Sequence, residues 1–362
     1  PHAAAVQVDD GLPEARGIEL GHEDLRLEDV EEPQAGLGEV KVRVLHNGIC
    51  GSDLHEYFHG PMTTRTTPHP LTGVKNPVIM GHELCGEVVA TGSDVEDLAV
   101  GDLVAVEPLE TCGHCLYCGI GQYNHCPDVA FHGYNRSGGG LAQFTVVPRK
   151  MAHRLLPGIT ARQGALIEPL GVAWHTANRC SVEAGQTVAI HGAGPIGVGV
   201  YLTLRRRGVN VIISDPSASR RAVLAGLGAR HLIDPTEVDA VSAIRDLTGG
   251  RGAHASVDAA GVAKSFHSML HGTRVDGTAV VVAIHQHAVV VPPFDLLMPE
   301  VKVTGVAMSV NAFPLVIEEM ARGSYPLEGW VEDIPFDAIL TGGFERLARQ
   351  EGMKLLVDVG NA

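Results

Sequence analysis

Thr187-Val188-Ala189-Ile190-His191-Gly192-Ala193-Gly194-Pro195-Ile196-Gly197 decides the fold, because a short β-branched run passes without a break into a G-x-G-x-x-G. In that spacing Gly192 permits a tight turn, Gly194 lets the backbone approach a pyrophosphate, and Gly197 lets the next helix pack closely on the strand. Pro195 suits the first helical turn, where its missing N–H costs nothing, and the free N–H groups around it and Ile196 face the phosphates. Asp215 closes the next β-branched run at the distance, roughly 20 residues on, where a carboxylate hydrogen-bonds the adenosine ribose diol and repels a 2′-phosphate. NAD is therefore expected over NADP. Arg220, one turn into the following segment, is a candidate for a ribose or phosphate contact and works against that preference. A Gly-rich packing turn beside a surface Asp is the competing reading, and the strand–turn–helix context argues against it.

Outward from this turn the chain keeps a βαβ rhythm: Ile196 to Arg207, Asn210 to Ser214, Arg220 to Leu227, Ala255 to Asp258 and Ala279 to Ile284. Strands that alternate with helices predict a parallel, doubly wound sheet. Before residue 160 the texture is β-rich, with Val40, Val42 and Val44 on one strand face and Lys41 and Arg43 on the other. Further strands are expected at Glu87 to Ala90, Leu103 to Val106 and Phe144 to Val147, and the tail reads as a helix, Phe313 to Met320, and a strand, Met353 to Val357.

The chain has 362 residues, 45% of them hydrophobic, and 44 glycines, a Gly share above the usual 7% or so that suits a turn-rich fold of two domains. A formal net charge of −15 opposes binding to nucleic acid or to an anionic membrane. The densest basic run, Arg205-Arg206-Arg207, reads as the solvated end of a helix. No run approaches the roughly 20 apolar residues of a membrane span; the longest, Thr278 to Ile284, is strand-sized. Pro1 opens without a basic and apolar leader, so a cytoplasmic protein is expected.

Cys112, Cys115, Cys118 and Cys126 give C-x2-C-x2-C-x7-C, four soft ligands in one loop and the composition of a closed, structural zinc site. An iron–sulfur set would space its last cysteine more tightly. A nucleic-acid finger would need cations, and no Lys or Arg lies between Cys112 and Cys126. His114 and His125 read as bystanders, since four thiolates complete the shell.

A second metal, with an open position, needs three ligands. Candidates occur in order: Cys50 in Gly48-Ile49-Cys50-Gly51-Ser52-Asp53, His82 and Glu83 in Gly81-His82-Glu83, and Glu168 in Ile167-Glu168-Pro169-Leu170. These segments, with the cysteine lobe and the G-x-G-x-x-G in this order, resemble the zinc-containing medium-chain alcohol dehydrogenases over nearly the whole chain. The resemblance implies a GroES-like catalytic domain, residues 1–159 and 310–362, split around a Rossmann domain, residues 160–309, with the active site in the cleft between them. It implies two zinc ions per chain, the catalytic one held by Cys50, His82 and Glu168. Glu168 departs from members that use a second cysteine there. It further implies that Glu83 sits behind the metal with transient ligation open to it, that Asp53 orients His82 through its other ring nitrogen, and that Ser52 takes the alcohol proton and passes it by way of the nicotinamide ribose to His55.

The segment Cys50 to Tyr57, Gly60-Pro61 and His69-Pro70-Leu71-Thr72-Gly73 look most like the butanediol dehydrogenases, which interconvert a vicinal diol and a hydroxyketone. Sorbitol-type polyols and threonine compete, although threonine dehydrogenases resemble this chain less at Glu168-Pro169-Leu170. Tyr57, Phe58 and His59 are candidates for the pocket wall, with core packing as the competing role. A zinc-stabilised, NAD-sensing binding protein is the rival from another class, and it would not need the Ser52 and His55 pair. Val301 to Met308 is expected as an edge strand that pairs across a twofold axis in a homodimer or homotetramer.

Overall fold

The computed structural model describes residues 2–8, as backbone, and 24–361; Pro1 lies outside them. The chain divides into two compact units: Pro1–Glu168 with Phe313–Ala321 and Val331–Ala362, and Pro169–Ala312 with Arg322–Trp330.

The first unit is built from short strands: β1 His2–Val8, β2 Leu25–Glu31, β3 Glu39–Gly48, β4 Val78–Ile79, β5 Glu83–Thr91, β6 Leu103–Val106, β7 Leu109–Glu110, β8 Ala130–Phe131, β9 Phe144–Pro148 and β10 Ala152–Arg154. Helix α1 covers Gly51–His59, α2 Leu116–Gly119 and α3 Ala161–Gly164; α4, Ile167–Arg179, follows. Val40, Val42 and Val44 are fully buried, as their alternation predicts, within a core that includes Met80, Leu84, Val104, Val106 and Leu141. The opposite face of β3, which carries Lys41 and Arg43, is covered at Lys41. Lys41 is only 5% exposed, because its ammonium pairs with Glu32 at 2.5 Å and lies 5.0 Å from the centre of the Phe144 ring.

The second unit holds β11 Thr187–His191, β12 Asn210–Ser214, β13 His231–Ile233, β14 Ala253–Asp258, β15 Thr273–Val281 and β16 Lys302–Gly305, with helices α5 Pro195–Arg206, α6 Ala218–Gly226, α7 Ala240–Leu247 and α8 Ala263–Gly272 between them. All six strands are parallel, in the order β13-β12-β11-β14-β15-β16. The order reverses direction beside β11, the switch point at which doubly wound sheets bind dinucleotides. The run Ala279 to Ile284 is misplaced by the sequence: β15 starts at Thr273 and stops at Val281, and Ile284 is 47% exposed. The Arg205–Arg207 run does end α5, yet it is not purely solvated, since the Arg207 guanidinium lies 4.3 Å from the centre of the Trp174 ring.

β17 Val331–Pro335 and β18 Lys354–Asp358 return to the first unit and complete a seven-stranded sheet, β10-β6-β5-β3-β18-β17, with β9 also paired to β3. The expected tail helix spans Phe313–Ala321. Among the described residues no helix is long and apolar enough to cross a membrane.

Candidate active site and metal centres

Strand register builds the first site. β3 and β5 are antiparallel and pair Gly48 with Glu83, which sets Cys50, two residues past the end of β3, against His82, just before β5. Gly48 leaves room for the Glu83 carboxylate, which a Cβ there would displace. Cys50 is the N-cap of α1, and its N–H donates to Asp53 Oδ2 at 2.8 Å. The Cys50 thiol, a ring nitrogen of His82 and a carboxylate oxygen of Glu83 all lie within 4.8 Å of one another. One thiolate, one imidazole and one carboxylate form a zinc donor set that leaves a coordination position open. His82 is 2% exposed, and its Nδ1 lies 3.4 Å from Asp53 Oδ1, which leaves Nε2 for a metal. The residues therefore fit a catalytic zinc.

Asp53 is fully buried, and burial acts to raise its pKa; the His82 ring, the Cys50 N–H and the Tyr134 hydroxyl outweigh that and hold it below the ordinary carboxylate range. The Tyr134 hydroxyl lies 2.8 Å from Asp53 Oδ1 and 2.9 Å from Ser52 Oγ. Sequence reasoning missed Tyr134, which stands in no motif. It also missed Lys354, whose buried ammonium bonds Glu83 and the Ile49 carbonyl at 3.0 Å. A lysine inside the apolar run Lys354-Leu355-Leu356-Val357 was the signal for it. Ser52 and His55 are three residues apart on α1 and share its face. Burial, then the neighbouring His59, lowers the His55 pKa.

Glu168 lies outside the Cys50, His82 and Glu83 trio. It is 6% exposed, and burial pushes its carboxyl up to about 7, with His82 and Lys354 opposing and Glu83 and Asp53 reinforcing that shift. It is thus near enough to feel the trio's charges, while Glu83 is the carboxylate that completes it here.

In the cysteine lobe all four sulfurs lie within 4.8 Å of one another, room for a tetrahedral ion with Zn–S bonds of about 2.3 Å. Cys112 N donates to Cys126 Sγ and Cys118 N to Cys115 Sγ, so the backbone already favours thiolates. His114 instead bonds the Cys112 carbonyl at 2.8 Å through Nδ1.

At the glycine turn, Gly192 has φ +108°, and a Cβ there would come within 2.8 Å of the Ala259 backbone. A Cβ on Gly197 would strike the Gly192 carbonyl, whereas one on Gly194 would meet nothing within 4 Å. Two glycines are thus needed for packing and the third borders open space, as a pyrophosphate requires. Gly194 is the N-cap of α5 and Pro195 its first residue, followed by Ile196. Asp215 accepts from Ala193 N and Ser217 N, both at 2.7 Å, so it also fastens the turn to β12. The arginine that reaches Asp215 is Arg221, which donates to its carbonyl at 2.6 Å; Arg220 lies one residue earlier on α6.

Residues 36–157 match the family described as alcohol dehydrogenase GroES-like domain, and residues 195–322 match that described as zinc-binding dehydrogenase. The (R,R)-butanediol dehydrogenase of Bacillus subtilis is 36% identical over 340 residues, covering 92% of this chain and 96% of that one. The sorbitol dehydrogenase of the same organism is 32% identical over 312 residues, 86% of each chain. The crystal structure of 2R,3R-butanediol dehydrogenase from Bacillus subtilis superposes with a TM-score of 0.89 at 32% identity, covering 98% of this chain and 99% of that one. With two matched domains and relatives aligned nearly end to end, the chain belongs to the zinc-binding, GroES-like alcohol dehydrogenases of the butanediol and polyol branch, oxidoreductases that act on CH–OH groups.

Proposed function

We propose that the protein oxidises a vicinal diol of the 2,3-butanediol type to its hydroxyketone, and reverses the reaction, with NAD as hydride acceptor. The observation that carries this reading is the convergence of Cys50, His82 and Glu83 within 4.8 Å, in a chain whose similar proteins include a butanediol dehydrogenase. Cys50, His82 and Glu83 hold the catalytic zinc, and Cys112, Cys115, Cys118 and Cys126 hold the structural one. When bound, the catalytic zinc supplies Lewis acidity at the substrate oxygen and the nicotinamide accepts the hydride. The chain does the rest. Asp53 fixes the His82 ring, Ser52 accepts the proton that leaves the hydroxyl, and His55, next along the same helix face, passes it outward. Glu168 is a neighbouring buried carboxyl that feels the charges of this site.

Reduction of NAD followed at 340 nm across 2,3-butanediol, sorbitol and threonine tests the substrate. The highest kcat/KM is expected for the butanediol, and a preference for sorbitol would move the protein to the polyol reading that its sorbitol dehydrogenase relative favours. The same assay tests Asp215. Hydrogen bonds to a charged group contribute about 1.5–3 kcal/mol, so Asp215→Ser should lower kcat/KM for NAD about 10- to 150-fold and narrow the gap to NADP. Equal efficiency of the unaltered enzyme with both cofactors would remove Asp215 from the ribose.

The assembly we propose is a homodimer or a tetramer of such dimers joined along β16, the outer strand of its sheet. Val290, Phe294, Leu297, Met298 and Val303 are 43–82% exposed beside it, and an apolar edge strand left open invites association. Leu297→Glu with Val303→Glu should halve the mass measured by light scattering. An unchanged mass would place the interface elsewhere.

A further inference from the structure

We propose that His285, aimed by Asp258, holds the carboxamide of the nicotinamide ring. The inference deepens the NAD reading proposed above and rests on it. Topology decides which half of the dinucleotide lies here. The sheet runs β13-β12-β11-β14-β15-β16, the pyrophosphate belongs at the turn after β11, and the adenosine ribose belongs at Asp215, past the end of β12. The other half must extend the opposite way, over the ends of β14 and β15. With strands about 4.8 Å apart, its ribose falls beside β14 and its ring beside β15. Asp258 ends β14, and His285 lies just past Val281, the end of β15.

The Asp258 carboxylate is fully buried and well supplied with donors. Its Oδ1 accepts from Ala260 N at 3.0 Å, Gly261 N at 3.2 Å and Ser265 Oγ at 2.8 Å, and its Oδ2 lies 2.7 Å from His285 Nε2. A carboxylate only accepts, so the hydrogen of that last bond sits on Nε2. The second ring nitrogen, Nδ1, has no hydrogen-bond partner among the described residues, and the His285 side chain keeps 16% of its surface open. A neutral ring accepts an N–H at that nitrogen, and a charged ring donates from it to a C=O. A primary carboxamide carries both groups, so it satisfies Nδ1 in either state. Once its amide is held, the ring no longer turns about its bond to the ribose, which is the orientation that hydride transfer requires.

The backbone keeps His285 at this spot. The Asp258 carbonyl accepts from Val282 N at 3.0 Å and Ala283 N at 3.1 Å, which folds the chain leaving β15 onto the end of β14. Gly261 has φ +73°, and a Cβ there would collide with the Ile284 carbonyl, so the two loops touch one residue before His285. The Phe266 ring of α8 meets the imidazole edge-on, centres 5.8 Å apart at 85°. Ala259 N donates to the His191 carbonyl at 2.8 Å, which ties the same loop to the strand that enters the glycine turn. A histidine that only stapled the two loops together would need Nε2 alone. The open second nitrogen is what points to a ligand.

Calorimetric titration with two ligands tests the contact: NADH, and ADP-ribose, which has both riboses and the pyrophosphate but no nicotinamide. His285→Gln keeps an amide that donates to Asp258 and lacks the second ring nitrogen. It should bind NADH about tenfold more weakly, the loss of one hydrogen bond, and ADP-ribose less than about twofold more weakly. Its melting temperature without ligand should match the parent's, because the tie to Asp258 survives. Equal weakening of both ligands would assign His285 to the ribose or to the loops and overturn the proposal. Undiminished NADH affinity, with or without a lowered melting temperature, overturns it as well, since the histidine is then a staple and nothing more. If the unaltered protein binds neither ligand, the dinucleotide reading itself falls, and the proposal falls with it.

Discussion

Replacing His82 by Ala is expected to empty the catalytic metal site and cut turnover by about three orders of magnitude, while the cysteine lobe keeps its ion. The imidazole is one of three converging donors, and a buried carboxylate, Asp53 at 3.4 Å, orients its ring. Polarising the substrate oxygen is worth several kcal/mol, and each 1.4 kcal/mol or so is tenfold in rate. Zinc measured by elemental analysis should fall by half per folded chain, and kcat should fall with it. Full zinc occupancy with turnover within tenfold of the parent would sink the assignment. The lobe serves as an internal control, because its four sulfurs belong to one loop, 112–126, and group apart from Cys50, His82 and Glu83. A variant that lost both metals would instead have lost its fold.

What could be read ahead of the structure was whatever is encoded over short distances. The turn after β11 is written in three glycines, and each has the steric role its position announces: Gly192 and Gly197 are forced by backbone within reach of a Cβ, and Gly194 borders open space. The cysteine lobe is equally local, four ligands in one loop. The convergence of Cys50 and His82 needed more, since they meet only through the pairing of Gly48 with Glu83; a family resemblance supplied what periodicity alone does not. Where the reading fell short, the contacts were distant in sequence. Tyr134 reaches Ser52 and Asp53 across about 80 positions, and no pattern along the chain marks it. The burial of Lys41 was not legible either, because alternation reports which face a side chain takes, not whether another segment covers that face. The placement of Glu83 depends on register in the same way. Its place in Gly81-His82-Glu83 said that it was near a metal, but only the register against β3 sets its carboxylate within 4.8 Å of both Cys50 and His82.

Lys354→Met is expected to destabilise the protein by about 3–5 kcal/mol, the cost of leaving a buried carboxylate without its partner. Both members of the pair are nearly inaccessible, Lys354 at 2% and Glu83 at 1% side-chain exposure, so water cannot take over from the ammonium. The Ile49 carbonyl, which also accepts from Lys354 Nζ at 3.0 Å, loses its donor in the same step. At about 2–4 °C per kcal/mol for a domain of this size, the melting temperature should drop by roughly 6–20 °C. The sign of two further changes separates charge from packing. Glu83→Gln added to Lys354→Met should recover more than half of the loss, because the amide needs no counter-charge, whereas a cavity or clash would not care about the second substitution. Stripping the metal with a chelator should widen the deficit, since a bound zinc ion is the other cation available to Glu83. A melting temperature within a degree of the parent would mean that the carboxylate is already neutralised by something other than Lys354. In that case the lysine would not be what holds a charged Glu83 beside Cys50 and His82.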